Sequence, residues 1–138
     1  MKPYEDSFYV DMCEKAEELQ KIRSTNYGNY FCSHNTTSFY DLIIINDCNN
    51  YSSQNEKDIW LPRQDQLQEM AIPYYDSVGH STVANIINLA YNMNLILRES
   101  SISWDYWMQF KTFEQFWLAF VMYKKYNKVW NNKNWILN

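Results

Sequence analysis

Residues 112–126, Thr-Phe-Glu-Gln-Phe-Trp-Leu-Ala-Phe-Val-Met-Tyr-Lys-Lys-Tyr, narrow what this chain can fold into more than any other stretch. Thr112 and Gln115 stand at capping-box spacing, in which a hydroxyl accepts from an orphan backbone N–H and the Gln side chain reaches back to another. Phe113, Phe116, Trp117, Phe120 and Val121 then form one stripe, and Leu118, Ala119, Met122 and Tyr123 widen it until little polar face is left. A helix that is apolar nearly all round is stable in water only when other elements enclose it. The spacing therefore predicts a helix over 113–126 as the central, interior element of the fold.

The rest of the chain must supply that enclosure. With 138 residues it reads as a single compact domain, 1–138. A globule of this size buries roughly two-thirds of its unfolded surface, so no disulfide or metal is needed to hold it. Aromatic residues make up 18% of the chain. At about 150–250 Å² each they exceed what one core can hold, so some Tyr and Trp belong at a rim or contact surface.

Residues 4–23 read as an amphipathic helix, with Phe8, Met12, Ala16 and Leu19 inside and Glu14, Lys15, Glu17, Glu18 and Lys21 outside. Residues 29–33 and 38–46 read as strands joined by a hairpin loop at 34–37, and 58–61 as a third strand. Pro62 opens a short helix over 63–70, and Pro73 stops it. Another helix is expected over 82–98, with Val83, Ile86, Ile87, Ala90, Met93 and Leu97 on its apolar face and Ser81 or His80 at its cap. Residues 99–110 read as an aromatic loop. The expected class is α+β, mainly helical, with about four helices and a small two- or three-stranded antiparallel sheet.

Several kinds of chemistry are unexpected here. Gly28 and Gly79 are the only glycines, too few for a phosphate-binding loop or a dinucleotide fingerprint, and there is no G-x-S-x-G. Cys13, Cys32 and Cys48 form no C-x-x-C pair, and Cys32-x-His34 lacks the spacing of a zinc knuckle. Asp76, Ser77 and His80 share one turn, which suits a helix cap better than a triad drawn from separate segments. No catalytic residue, metal or cofactor is therefore expected.

Net charge is −4, and no basic patch argues for direct nucleic-acid binding. Lys124, Lys125, Lys128 and Lys133 are expected on the solvated last turns of a helix, where cations suit the dipole. The N-terminal residues show no apolar leader, and no stretch approaches the ~18 apolar residues of a membrane span. A cytoplasmic protein with reduced thiols and no membrane partner is expected.

Two segments remain as binding candidates. Residues 58–70 read either as a strand-to-helix corner, anchored by Trp60 and Leu61 with Leu67 and Met70 packed, or as a binding surface. In the second case Arg63, Gln64, Asp65 and Gln68 would present polar groups beside Trp60. Trp104, Tyr106 and Trp107 read either as a contact surface, since Trp and Tyr dominate binding hot spots, or as a lid on the apolar helix.

The strings Cys-Glu-Lys-Ala-Glu-Glu-Leu-Gln at 13–20, Asp-Ile-Trp-Leu-Pro-Arg-Gln-Asp-Gln-Leu-Gln-Glu-Met at 58–70 and the run at 110–135 occur in one order. In that respect the chain resembles a family of small phage and prophage proteins without an assigned activity. The resemblance implies a bacteriophage setting and a bacterial host cell, and carries no residue roles. The expected function is a non-enzymatic phage accessory protein that binds a host protein, an inhibitor of bacterial defence such as an anti-CRISPR protein being one form. The alternative is a small-ligand binder for a nucleotide signal, in which aromatic faces stack on a base and Arg63 meets a phosphate.

Overall fold

A computed structural model describes residues 5–22, 29–34, 40–44, 58–71, 94, 97–98 and 101–138. Read from sequence as one domain, the chain divides into two compact units: Met1–Ala71 with Thr112–Asn138, and Ile72–Lys111. The protein is α+β and mainly helical. In the first unit the described elements run α1 (Ser7–Glu14), α2 (Glu17–Lys21), β1 (Tyr30–His34), β2 (Tyr40–Ile44), β3 (Ile59–Leu61) and α3 (Gln64–Ala71). After the second unit come α5 (Phe113–Tyr126), β4 (Lys128–Trp130) and β5 (Trp135–Leu137). The second unit contributes α4 (Trp104–Met108), with helical residues at Asn94, Leu97 and Arg98. The expected helix over 82–98 and its cap otherwise lie outside the described residues, as do Cys48, Asp76–Ser81 and the 35–39 loop.

α5 has the bounds its periodicity predicts, and it packs against α3, α1 and β4. Trp117, Leu118, Ala119, Phe120, Val121 and Met122 are all buried along it. Phe113, placed on the inward stripe by spacing, is instead 70% exposed, while Gln115, two residues on in the same turn, is buried, so the polar side of this first turn and not its Phe faces protein. Thr112 caps the helix, its Oγ1 accepting from Gln115 N–H at 3.3 Å. The Gln115 side chain also works at long range: Nε2 donates to Asp6 Oδ2 at 2.6 Å, while Asp6 Oδ1 caps α1 by accepting from Tyr9 N–H at 3.1 Å. One buried carboxylate thus ties the starts of two helices together.

The helix expected over 4–23 is two helices. Neither glycine nor proline interrupts it; Ala16, at ψ 67°, leaves the helical region. The break lets Gln20 meet three backbone groups. Its Nε2 donates to Cys13 O at 2.9 Å and Trp60 O at 3.0 Å, and its Oε1 accepts from Trp60 N–H at 2.8 Å. β3 is an edge strand in the order β2-β1-β3, and an edge leaves backbone groups unpaired. The Gln20 amide completes that edge at Trp60 much as a neighbouring strand would.

All three strands pair antiparallel, Phe31 standing opposite Ile43 on one side and Trp60 on the other. Phe31 and Trp60 pack together, with Met70 of α3 against them. The lysine cluster expected on helical turns is divided. Lys124 and Lys125 occupy the last turn of α5, but Asn127 enters the left-handed region at φ 52°, ψ 39° and ends it. Lys128 therefore lies on β4 and Lys133 in the turn of a β4–β5 hairpin that helical periodicity did not announce.

Candidate functional site

The corner at 58–70 is built from the inside out. Trp60 is 2% exposed, so it anchors the core and does not stand on a surface beside the polar residues. Tyr9, wholly buried, donates its hydroxyl to Pro62 O at 2.5 Å and fixes the chain where β3 turns into α3. Burial, then the neighbouring Cys13 thiol, pushes the Tyr9 hydroxyl well above its ordinary range. Gln66 takes the reach-back half of a capping box, its Oε1 accepting from Arg63 N–H at 2.9 Å.

The Arg63 guanidinium is already engaged. Nε and Nη2 donate to the two Asp65 oxygens, both at 3.0 Å, and Nη1 donates to Asn29 Oδ1 at 3.2 Å. Gln66 Nε2 donates to the same Asn29 oxygen at 2.7 Å, and Asn29 is 1% exposed. The fork that could clasp a carboxylate or phosphate is filled by a carboxylate of its own chain. Accordingly the hydrogen bond with Asp65 raises the Arg63 pKa, and the same bond lowers that of Asp65. Gln64 and Gln68, one turn apart on α3, are half-buried. The Arg63, Asp65, Asn29 and Gln66 side chains thus satisfy one another at the corner, whereas the buried Trp60 indole N–H has no hydrogen-bond partner among the described residues.

The aromatic segment at 99–110 holds α4 rather than a loop throughout. Ser103 caps it by accepting from Asp105 N–H at 3.3 Å, and Asp105 suits the positive end of the helix. Tyr106 meets Trp107 edge-on with ring centroids 5.0 Å apart, and Phe110 at 5.4 Å. Trp107 is 3% exposed, whereas Trp104 is 62% and Met108 65% exposed. Residues four apart on a helix are neighbours, so Trp104 and Met108 form one apolar surface. Met108 was not among the sequence candidates. The Ser103 cap and acidic first turn were the signals that would have placed it beside Trp104.

Among the described residues no group of three or more His, Cys, Asp or Glu side chains could hold a metal ion. Cys13 and Cys32 are free thiols with no exposed surface. Burial raises both, that of Cys32 to about 11 with Asp58 adding to it, so neither is a nucleophile at neutral pH. No helix among the described residues is long and apolar enough to cross a membrane. No family model matches the chain, and no curated protein or solved structure matches it.

Proposed function

We propose that this protein acts without catalysis, by binding another protein through the Trp104–Met108 face of α4. The observation that carries the proposal is the exposure of two large apolar side chains one turn apart on a capped helix. Trp is the side chain most often found at binding hot spots, and Met adapts its shape to a partner surface. In the phage setting that the resemblance implies, the partner is a host protein, and inhibition of bacterial defence, as by an anti-CRISPR protein, is one form of the activity. The filled Arg63 fork speaks against phosphate capture at the 58–70 corner.

The test pairs two tryptophans. Trp104→Ala should leave the melting curve within about 0.5 kcal/mol of wild type, as an exposed substitution does. Trp107→Ala should destabilise the fold by about 3 kcal/mol, as a buried truncation. Proteins captured from host lysate by the wild-type chain should then be lost, roughly 30-fold or more, with Trp104→Ala. Equal capture by that variant, or a nucleotide retained by the wild-type chain in native mass spectrometry, would overturn the proposal.

A further inference from the structure

The β4–β5 hairpin leaves one edge open. Its register pairs Lys128 with Leu137, Val129 with Ile136 and Trp130 with Trp135. Asn138 N–H bonds Asn127 O at 2.9 Å and Asn131 N–H bonds Asn134 O at 3.1 Å. Hydrogen-bonded and non-hydrogen-bonded pairs alternate along an antiparallel ladder. Val129 and Ile136 are therefore the bonded pair between those two, and the backbone groups of Trp135 and Leu137 point away from β4. Among the described residues no third strand joins the hairpin and no backbone bond reaches that outer side. Ile136 is 45% and Leu137 74% exposed there. Proteins usually guard such an edge with a charge, a proline or a bulge. Residues 134–138, Asn-Trp-Ile-Leu-Asn, supply neither charge nor proline.

We propose that β5 pairs antiparallel with β5 of a second copy of this chain, joining two hairpins into a four-stranded sheet. The edge is complementary to itself. A two-fold axis through Ile136 sets Trp135 of one copy against Leu137 of the other, and the reverse, so that all the outward backbone groups of both strands bond. On one face the row across the joint is Val129, Ile136, Ile136, Val129. On the other it is Lys128, Leu137, Trp135, Trp130. Charge fits a second copy: no like charges meet, and Lys128, at the outside of its row, is already paired with Glu18. A charged peptide would find no counter-charge on this edge. Three-residue strands bury far less than the roughly 1,600 Å² of a standard stable interface, so the dimer is weak.

Sedimentation velocity from micromolar to near-millimolar concentration tests this, and α4 takes no part in it. The wild-type chain should pass from monomer to dimer. Ile136→Lys sets two ammonium groups opposite each other and should weaken association at least ~10-fold. Leu137→Pro removes an outward N–H that the hairpin itself does not use, and should abolish association. Ile136→Cys places two thiols face to face across the axis, so a mild thiol oxidant should yield far more covalent dimer than the wild-type chain gives. That third variant decides the matter if either of the others fails to fold. Monomer at every concentration, a dimer indifferent to Ile136→Lys and Leu137→Pro, or cross-linking of the Cys variant no greater than wild type would each overturn the proposal.

Discussion

Replacing Gln20 with Ala removes three hydrogen bonds at one stroke: those to Trp60 N–H, Trp60 O and Cys13 O. Each such bond nets about 1 kcal/mol, which sets a ceiling near 3 kcal/mol. Two effects reduce it. The site is half-buried, so water can re-satisfy part of what is lost, and Ala is the better helix former by a few tenths of a kcal/mol. A loss of about 2 kcal/mol is expected, read as a shift of the urea midpoint at unchanged slope. Hydrogen exchange supplies the local readout, since the Trp60 amide should lose protection beyond the global change.

Gln20→Glu sharpens the test at nearly constant size. One carboxylate oxygen still accepts from Trp60 N–H, but the other now faces two carbonyl oxygens where a donor stood. Only the protonated acid can restore a donor, so the folded state should raise the pKa of the new carboxyl. A raised carboxyl pKa places the deficit above the ordinary carboxylate range and relieves it as pH falls below that range. A loss under about 0.5 kcal/mol in Gln20→Ala, with the Trp60 amide still protected, would refute the view that this amide completes the edge of β3.

Two further outcomes follow from the same geometry. Asp6→Ala removes the cap of α1 and the Gln115 contact together, and should cost about 3 kcal/mol by urea unfolding, from about 1 for the cap and about 2 for the buried partner. Lys128→Met should cost about 1 kcal/mol at neutral pH, both partners of its pair with Glu18 being only about a quarter exposed. Burial is the largest influence on Glu18 and opposes its ionisation, but the Lys128 hydrogen bond and charge, a backbone hydrogen bond and the charge of Lys21 together outweigh it and hold the pKa below the ordinary value. That stabilisation is present above the unfolded carboxyl pKa and is lost as pH falls through the folded one, so the wild-type and variant stability curves should converge in acid. Parallel curves would place the effect elsewhere.

The elements most legible in the sequence are those whose cause lies in consecutive residues. The apolar periodicity of 113–126 sets the bounds of α5, the β-branched and aromatic run gives β1 to β3, and the Thr112 hydroxyl caps the helix it precedes. The β4–β5 hairpin also carried a local signal, in an Asn-rich turn between Val129-Trp130 and Trp135-Ile136, which the preceding helical pattern obscured. Tertiary structure decided what depends on elements distant in sequence. It broke the first helix so that Gln20 could reach β3, turned Gln115 from a local box partner toward Asp6, and filled the Arg63 fork from within. It also buried Trp107 while leaving Trp104 exposed, three residues apart on one short helix. Periodicity records which side chains are apolar; only the packed neighbours determine which of them meet protein and which meet water.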